Sequence, residues 1–194
     1  MTKAEQTRNF IIEKTAPVFN KKGFAGTSLT DLTKATGLTK GSIYGNFANK
    51  DEVALAVFDY NLQRNENIIK EALAKQSTAR DQLLVYTKVY AAFLTIPSMQ
   101  SGCPIQNTAT EADDTHPALK EKAKNAILGW KKKLVKIIEK GRQDGEFTAS
   151  FNAEQVALTM IATIEGGIMI AGLTGKINYM KLVMQSLEKM IDEL

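Results

Sequence analysis

The stretch TKGSIYGNFANK, Thr39 to Lys50, decides how this chain is read. Ile43 and Phe47 recur at the spacing of one helical face, so the stretch reads as a short helix with an apolar side. Yet Gly41 and Gly45 each cost about 1 kcal/mol relative to Ala in a helix interior. Lys50 stands where the next helix begins, the end at which the macrodipole disfavours a cation. Two unfavourable choices in so short a stretch mark a place where something other than local stability selects the residues.

Upstream, Ser28 and Asp31 form a capping box that opens a short helix, SLTDLTKAT, with Leu29, Leu32 and Ala35 on its inner face. Gly37 supplies a left-handed turn, Leu38 fills the junction, and Thr39 caps the next helix. Two short helices joined this tightly cross at a steep angle, the helix-turn-helix geometry. The outer face of the second helix carries Thr39, Lys40, Gly41, Ser42, Tyr44 and Asn46. These are phosphate-binding and base-reading side chains around one position with no side chain. On that reading Gly41 admits close approach to a major-groove floor, and Lys50 shares a DNA phosphate with the free N–H groups of its helix start.

Charge supports a polyanionic partner at this end. Residues 1–50 hold eight basic side chains (Lys3, Arg8, Lys14, Lys21, Lys22, Lys34, Lys40, Lys50) against three acidic ones (Glu5, Glu13, Asp31), a net of +5 within a total of +4. The remaining 144 residues hold 17 basic and 18 acidic groups. All the excess charge thus lies in the N-terminal quarter. Of 194 residues, 44% are hydrophobic and 24% charged, which is ordinary for a globular chain. No apolar run is expected to reach the roughly 18 residues of a membrane-spanning helix. The N-terminus MTKAEQTRNF lacks the apolar core of a signal peptide, so the expected location is cytoplasmic, with no membrane partner.

Helical signals continue to the C-terminus without a convincing alternating strand. Thr2 and Glu5 make a capping box for a first helix that runs to about Lys22 and stops at Gly23, with a kink expected at Pro17. Asn49 caps a fourth helix reaching about Lys75. Further helices are expected over about Ala79–Leu94, Ile105–Ala112 and Pro117–Gly141. The segment Ala153–Leu173 is almost wholly apolar, a pattern that predicts burial on all sides. The last helix spaces Met180, Val183, Met184, Leu187, Met190, Ile191 and Leu194 by threes and fours into one apolar stripe. Paired with the small surfaces of Ala157, Ala162, Gly166 and Gly167, that stripe (Met180, Met184, Leu187, Ile191) predicts a four-helix homodimer interface.

Over Glu13 to Leu55, through KKGFAGTSLTDLTKATGLTKGSIYGNFANKDEV, the chain resembles the TetR family of bacterial transcriptional repressors. Gly23-Phe24, Thr27-Ser28, Gly37, the KGSIY run, Phe47 and Lys50 fall in that family's order and spacing. GCPIQNTATEADDTHPALKEK, residues 102–122, is similar to a segment of one of its subgroups. The resemblance implies an all-α fold: an N-terminal three-helix DNA-binding domain over 1–48, then a helical effector-binding and dimerisation domain over 49–194. It implies double-stranded operator DNA, a small-molecule effector and a second copy of the chain as partners, with no cofactor. Carried over by residue, Thr27, Ser28, Tyr44 and Lys50 contact phosphate, while Lys40, Gly41 and Ser42 approach bases or their nearest phosphates. The departures are Thr33, where Ala is common, Gly45-Asn46, where His or an aromatic is usual, and Pro17.

The competing readings are an enzyme, a helical adaptor, and a thiol-based regulator acting through Cys103. One His and one Cys do not assemble the usual zinc sets, and no metal or catalytic residue is assigned. A di-iron helical enzyme needs two E-x-x-H pairs, whereas this chain has a lone Asp113-x-x-His116, and His116 is better placed to cap the helix at Pro117. An adaptor leaves the local charge and the helix-turn-helix unexplained. No cation neighbours Cys103 in sequence, so a small buried hydrophobe competes with the sensor reading. Glu165, inside the apolar segment, needs a partner in a pocket or across a dimer interface. Tyr60, Tyr86, Tyr90, Phe93, Trp130 and Met160 are core candidates that with Cys103 and Glu165 also make the candidate effector pocket.

Overall fold

The computed structural model describes residues 1–97, 99–112, 115–148 and 150–194. Asp113, one half of the Asp113-x-x-His116 pair, lies outside them. Among the described residues there are nine α-helices, one 3-10 turn and no strand, so the fold is all-α. In chain order the helices are α1 (Lys3–Lys22), α2 (Leu29–Thr36), α3 (Lys40–Tyr44), α4 (Lys50–Leu73), α5 (Ala79–Ala91), α6 (Pro104–Ala112), α7 (Pro117–Gln143), α8 (Ala153–Thr174) and α9 (Ile177–Asp192). They form two compact units: Met1–Arg64 with Cys103–Lys124, and Asn65–Gly102 with Asn125–Leu194.

In the first unit the local signals act where the sequence puts them. Thr2 and Glu5 close a capping box on α1, which ends at Gly23 with φ of 72°. Ser28 and Asp31 close another on α2, and Gly37 ends it in the left-handed region. Thr39 Oγ1 accepts from Ser42 N–H, Asn49 Oδ1 from Glu52 N–H, and His116 Nδ1 from Leu119 N–H at the start of α7. α1 runs on through Pro17, and Asn61 of α4 donates its side-chain N–H to the Ala16 carbonyl beside it at 3.2 Å. Ile11, Leu32, Ile43, Phe47 and Val57 build the core, with Ile11, Leu32 and Ile43 wholly buried.

In the second unit α9 packs on α5 and α8. Here two expectations are overturned. Met180, Met184, Leu187 and Ile191 do form one stripe, but it is buried within the chain, so these four side chains are not free to meet a second copy. α9 closes it onto α5 and α8; periodicity shows that a face is covered, not by what. α8 is not buried on all sides: Leu158, Ala162, Met169, Ile170 and Leu173 are exposed, Leu173 at 86%. By length and mean hydropathy (1.8) α8 is also apolar enough to cross a bilayer, although no uninterrupted apolar run is that long, and it packs along α9 instead.

Candidate nucleic-acid interface

α3 is only five residues long, so it is held by its surroundings rather than by its own hydrogen bonds. Ile43 and Phe47 anchor it in the core, and Arg8 of α1 fastens its C-terminal end. One Arg8 N–H donates to the Asn46 carbonyl and another to Glu52, both at 2.6 Å, while the guanidinium lies 4.0 Å from the Phe47 ring centroid. Glu52 also accepts from Ala48 N–H, and that bond, with Arg8 second, holds its carboxyl below the usual range. On α2, Lys22 first and the Ser28 backbone and hydroxyl second hold Asp31 well below the ordinary carboxylate range. Arg8 and Glu52 were not legible as site residues, because their partners lie around 40 positions away.

What remains outward is Thr39, Lys40 and Gly41, all exposed, with Ser42 and Tyr44 half-buried beside them. A Cβ on Gly41 would meet only Thr39 Oγ1, at 3.9 Å, so no neighbour among the described residues requires Gly there. Gly45 has ordinary right-handed backbone, which asks for no glycine either. Ser28 is exposed at the start of α2, its hydroxyl bonded to Asp31.

Three expected contacts are placed differently. Thr27 is 1% exposed and its hydroxyl donates to the Gly23 carbonyl at 2.6 Å, so its side chain is part of the fold and not of the surface. Asn46 folds back, its amide donating to the Ser42 carbonyl. Lys50 Nζ donates to the carbonyls of Phe24 (2.8 Å) and Thr27 (3.0 Å) and lies 4.1 Å from the Phe24 ring centroid, which explains a lysine at this helix start without DNA. The departure at Thr33 is accommodated, since its hydroxyl donates to the Thr30 carbonyl.

Residues 11–57 match the family model described as bacterial regulatory proteins, tetR family, and residues 79–187 match the tetracyclin repressor-like C-terminal domain. The chain belongs to the TetR family of bacterial transcriptional regulators. A solved TetR-family regulator from Cytophaga hutchinsonii is 48% identical, covers 100% of this chain with 97% of its own, and superposes with a TM-score of 0.92. A second, from Chloroflexus aurantiacus, is 33% identical, with 100% and 98% covered and a TM-score of 0.94. The HTH-type transcriptional repressor DhaR of Mycobacterium sp. (strain GP1) is 26% identical over 165 residues, 84% of this chain and 80% of that protein. TetR-family regulators bind operator DNA and small-molecule effectors as dimers, and the fold described above is theirs.

The remaining candidates divide between the units of this TetR-family chain. Tyr86, Tyr90 and Trp130 come together in the second unit as near-parallel rings, Trp130 lying 6.3 Å from Tyr86 and 5.7 Å from Tyr90 between centroids. Burial, with Glu66 second, pushes the Tyr86 phenol up to about 12. Trp130 Nε1 and Asn65 Oδ1 are buried there without a hydrogen-bond partner among the described residues. Phe93 and Met160 are buried in the same unit, and Glu165 is half-buried with both oxygens covered. Tyr60, under the Arg64 guanidinium, and Cys103, buried just before α6, belong to the first unit. Of the small residues proposed for the dimer face, Ala157 and Gly167 are buried, while Ala162 is exposed and Gly166 half-buried.

Proposed function

We propose that this chain is a cytoplasmic homodimeric repressor that occupies a palindromic operator until a small, largely apolar effector releases it. DNA binding is assigned to residues 1 to about 48, effector binding and dimerisation to the helices from α4 onward. The observation that carries the reading is the outward face of α3. Lys40, Gly41 and Ser42 stand free of the core, on the most basic part of the chain, at the end of a rigidly capped helix-turn-helix. Backbone approach at Gly41 and side chains from Thr39, Lys40, Ser42 and Tyr44 then serve bases and phosphates. Ser28 adds a phosphate contact at the start of α2. Lys50, with two of its N–H groups on carbonyls, keeps the third for a phosphate.

The dimer face is reassigned to α8, where Leu158, Ala162, Gly166, Met169 and Leu173 follow one another at helical spacing along an exposed side. A two-fold axis there brings two short recognition helices to successive major grooves. The effector site is placed at the Tyr86, Tyr90 and Trp130 wall with Phe93, Met160 and Glu165. An effector with an apolar body and an acceptor for the Trp130 N–H suits those residues. Its binding shifts the dimer toward a state whose recognition helices no longer fit adjacent grooves, and the affinity lost for DNA equals the coupling between the sites.

The test is selection of duplexes from a random-sequence library by the purified protein. Enrichment of a two-fold symmetric sequence is expected, with half-site centres about 34 to 36 Å apart or a multiple of that. Failure to enrich any sequence contradicts the reading.

A further inference from the structure

Glu111, on α6, lies 87 residues along the chain from Phe24, yet its carboxylate grips the loop between α1 and α2. Oε2 accepts the Phe24 N–H at 2.7 Å and Oε1 the Ala25 N–H at 2.6 Å. Both are charge-assisted bonds to amides just past the end of α1, where no helical carbonyl serves them. Gly23 makes the approach feasible: its φ is 72°, and a Cβ there would collide with the Glu111 carboxylate. Phe24 is held from other sides too. Its carbonyl accepts from Lys50 of α4, the Lys50 ammonium lies against its ring, and His116 meets that ring edge-on at 4.6 Å and 82°. The loop so held leads within a few residues to the Ser28 cap, and from there through α2 to α3.

We propose that Glu111 is a positioning residue for operator binding: its paired hydrogen bonds make the place of α6 set the place of the helix-turn-helix. The proposal rests on the reading of α3 as the DNA-facing element. Its second support is topological. By sequence α6 falls within the C-terminal family match, residues 79–187, but in the structure it packs in the same compact unit as α1 to α3 and against α1. A segment belonging by descent to the effector-binding part is thus tied by a carboxylate to the DNA-binding part.

Glu111→Gln is the variant of choice, because it keeps the shape but sets an NH₂ group against one of the two amides. The probes are the duplex selected by the parent and a scrambled duplex of equal length. Loss of a charge-assisted bond is expected to weaken the selected duplex about tenfold. The scrambled duplex, held by phosphate contacts alone, is expected to bind as before, and Phe24 and Ala25 amide exchange to quicken. A merely structural role lowers both affinities together, and that result overturns the proposal, as does parental affinity for the selected duplex. Should the variant fail to fold, amide exchange in the parent decides: the selected duplex slows exchange at Phe24 and Ala25, whereas unchanged exchange overturns the latch. If the parent selects no duplex, the functional reading itself fails, while the exchange rates in Glu111→Gln still report whether the latch exists.

Discussion

Gly41 and Gly167 both lie in helices, Gly41 in the first turn of α3 and Gly167 well inside α8, and at each Ala is the better helix former. Their surroundings separate them. On α3 a Cβ at Gly41 would meet only Thr39 Oγ1, at 3.9 Å, whereas on α8 a Cβ at Gly167 would lie 2.6 Å from the Met180 sulfur and 3.2 Å from Val183 Cγ1. Gly167 therefore exists for the chain itself, letting α9 close onto α8. Gly41 has no such employment among the described residues, which is what the proposed DNA-facing role of α3 requires. Gly166, next to Gly167, has nothing within 4 Å of its would-be Cβ and belongs to the exposed side of α8. The same local anomaly thus marks either an internal or an external contact, and only the neighbours decide which.

The sharpest way to break the comparison is to charge both sides of the α8–α9 pair. Leu187→Asp with Ile191→Asp puts carboxylates into the closed stripe and is expected to cost more than about 4 kcal/mol, unfolding the second unit. Met169→Asp with Leu173→Asp charges the exposed side and is expected to leave a folded monomer that binds the symmetric site at least about tenfold more weakly. Circular dichroism and sedimentation separate the two outcomes. A folded monomer from the first pair, or a parental dimer from the second, reverses the assignment of faces.

Lys50→Ala asks how far an apparently external residue serves the fold. Removing two charge-assisted bonds to the Phe24 and Thr27 carbonyls is expected to cost about 1–3 kcal/mol. Removing the third N–H from a phosphate is expected to flatten the log-affinity against log-salt slope by about 1. Denaturant unfolding and salt titration read the two effects separately, and an unchanged slope assigns Lys50 to the fold alone.

A smaller effect belongs to the aromatic wall of the second unit. Tyr86 is pushed up to about 12, first by burial and then by Glu66, so its neutral form is favoured in the folded state. The stability this confers is complete below the unfolded value near 10 and is lost as the pH rises from there toward 12. Among the five tyrosines, tyrosinate absorbance is expected to show a late step that Tyr86→Phe removes. Persistence of that step in the variant places the buried phenol elsewhere.

The residues that were legible are those whose partners are near in sequence. Thr2, Ser28, Thr39 and Asn49 cap helices through N–H groups three residues on, and Gly23 and Gly37 end helices by their own backbone. The helix-turn-helix is a chain of such local decisions, so its elements and its outward face could be read. The apolar stripe of α9 was equally visible, but a stripe says only that something covers it, and α5 and α8 cover it here. Thr27 and Lys50 have side chains suited to phosphate and use them on carbonyls instead. Glu111 and Arg8 carry no local signal, because the amides and carbonyls they serve come near only after folding.

The central claim, that the outward face of α3 is built for DNA, is tested most directly at Gly41. Gly41→Ala beside Gly167→Ala, each measured for thermal unfolding and for gel-shift affinity on the selected duplex, sets the two glycines against each other. Gly41→Ala is expected to unfold at the parental temperature or slightly above, since Ala favours helix and its Cβ meets nothing closer than Thr39, yet to bind the duplex about tenfold more weakly. Gly167→Ala is expected to lose about 1–3 kcal/mol of stability to overpacking against Met180. A Gly41→Ala protein that binds its duplex with parental affinity contradicts the account.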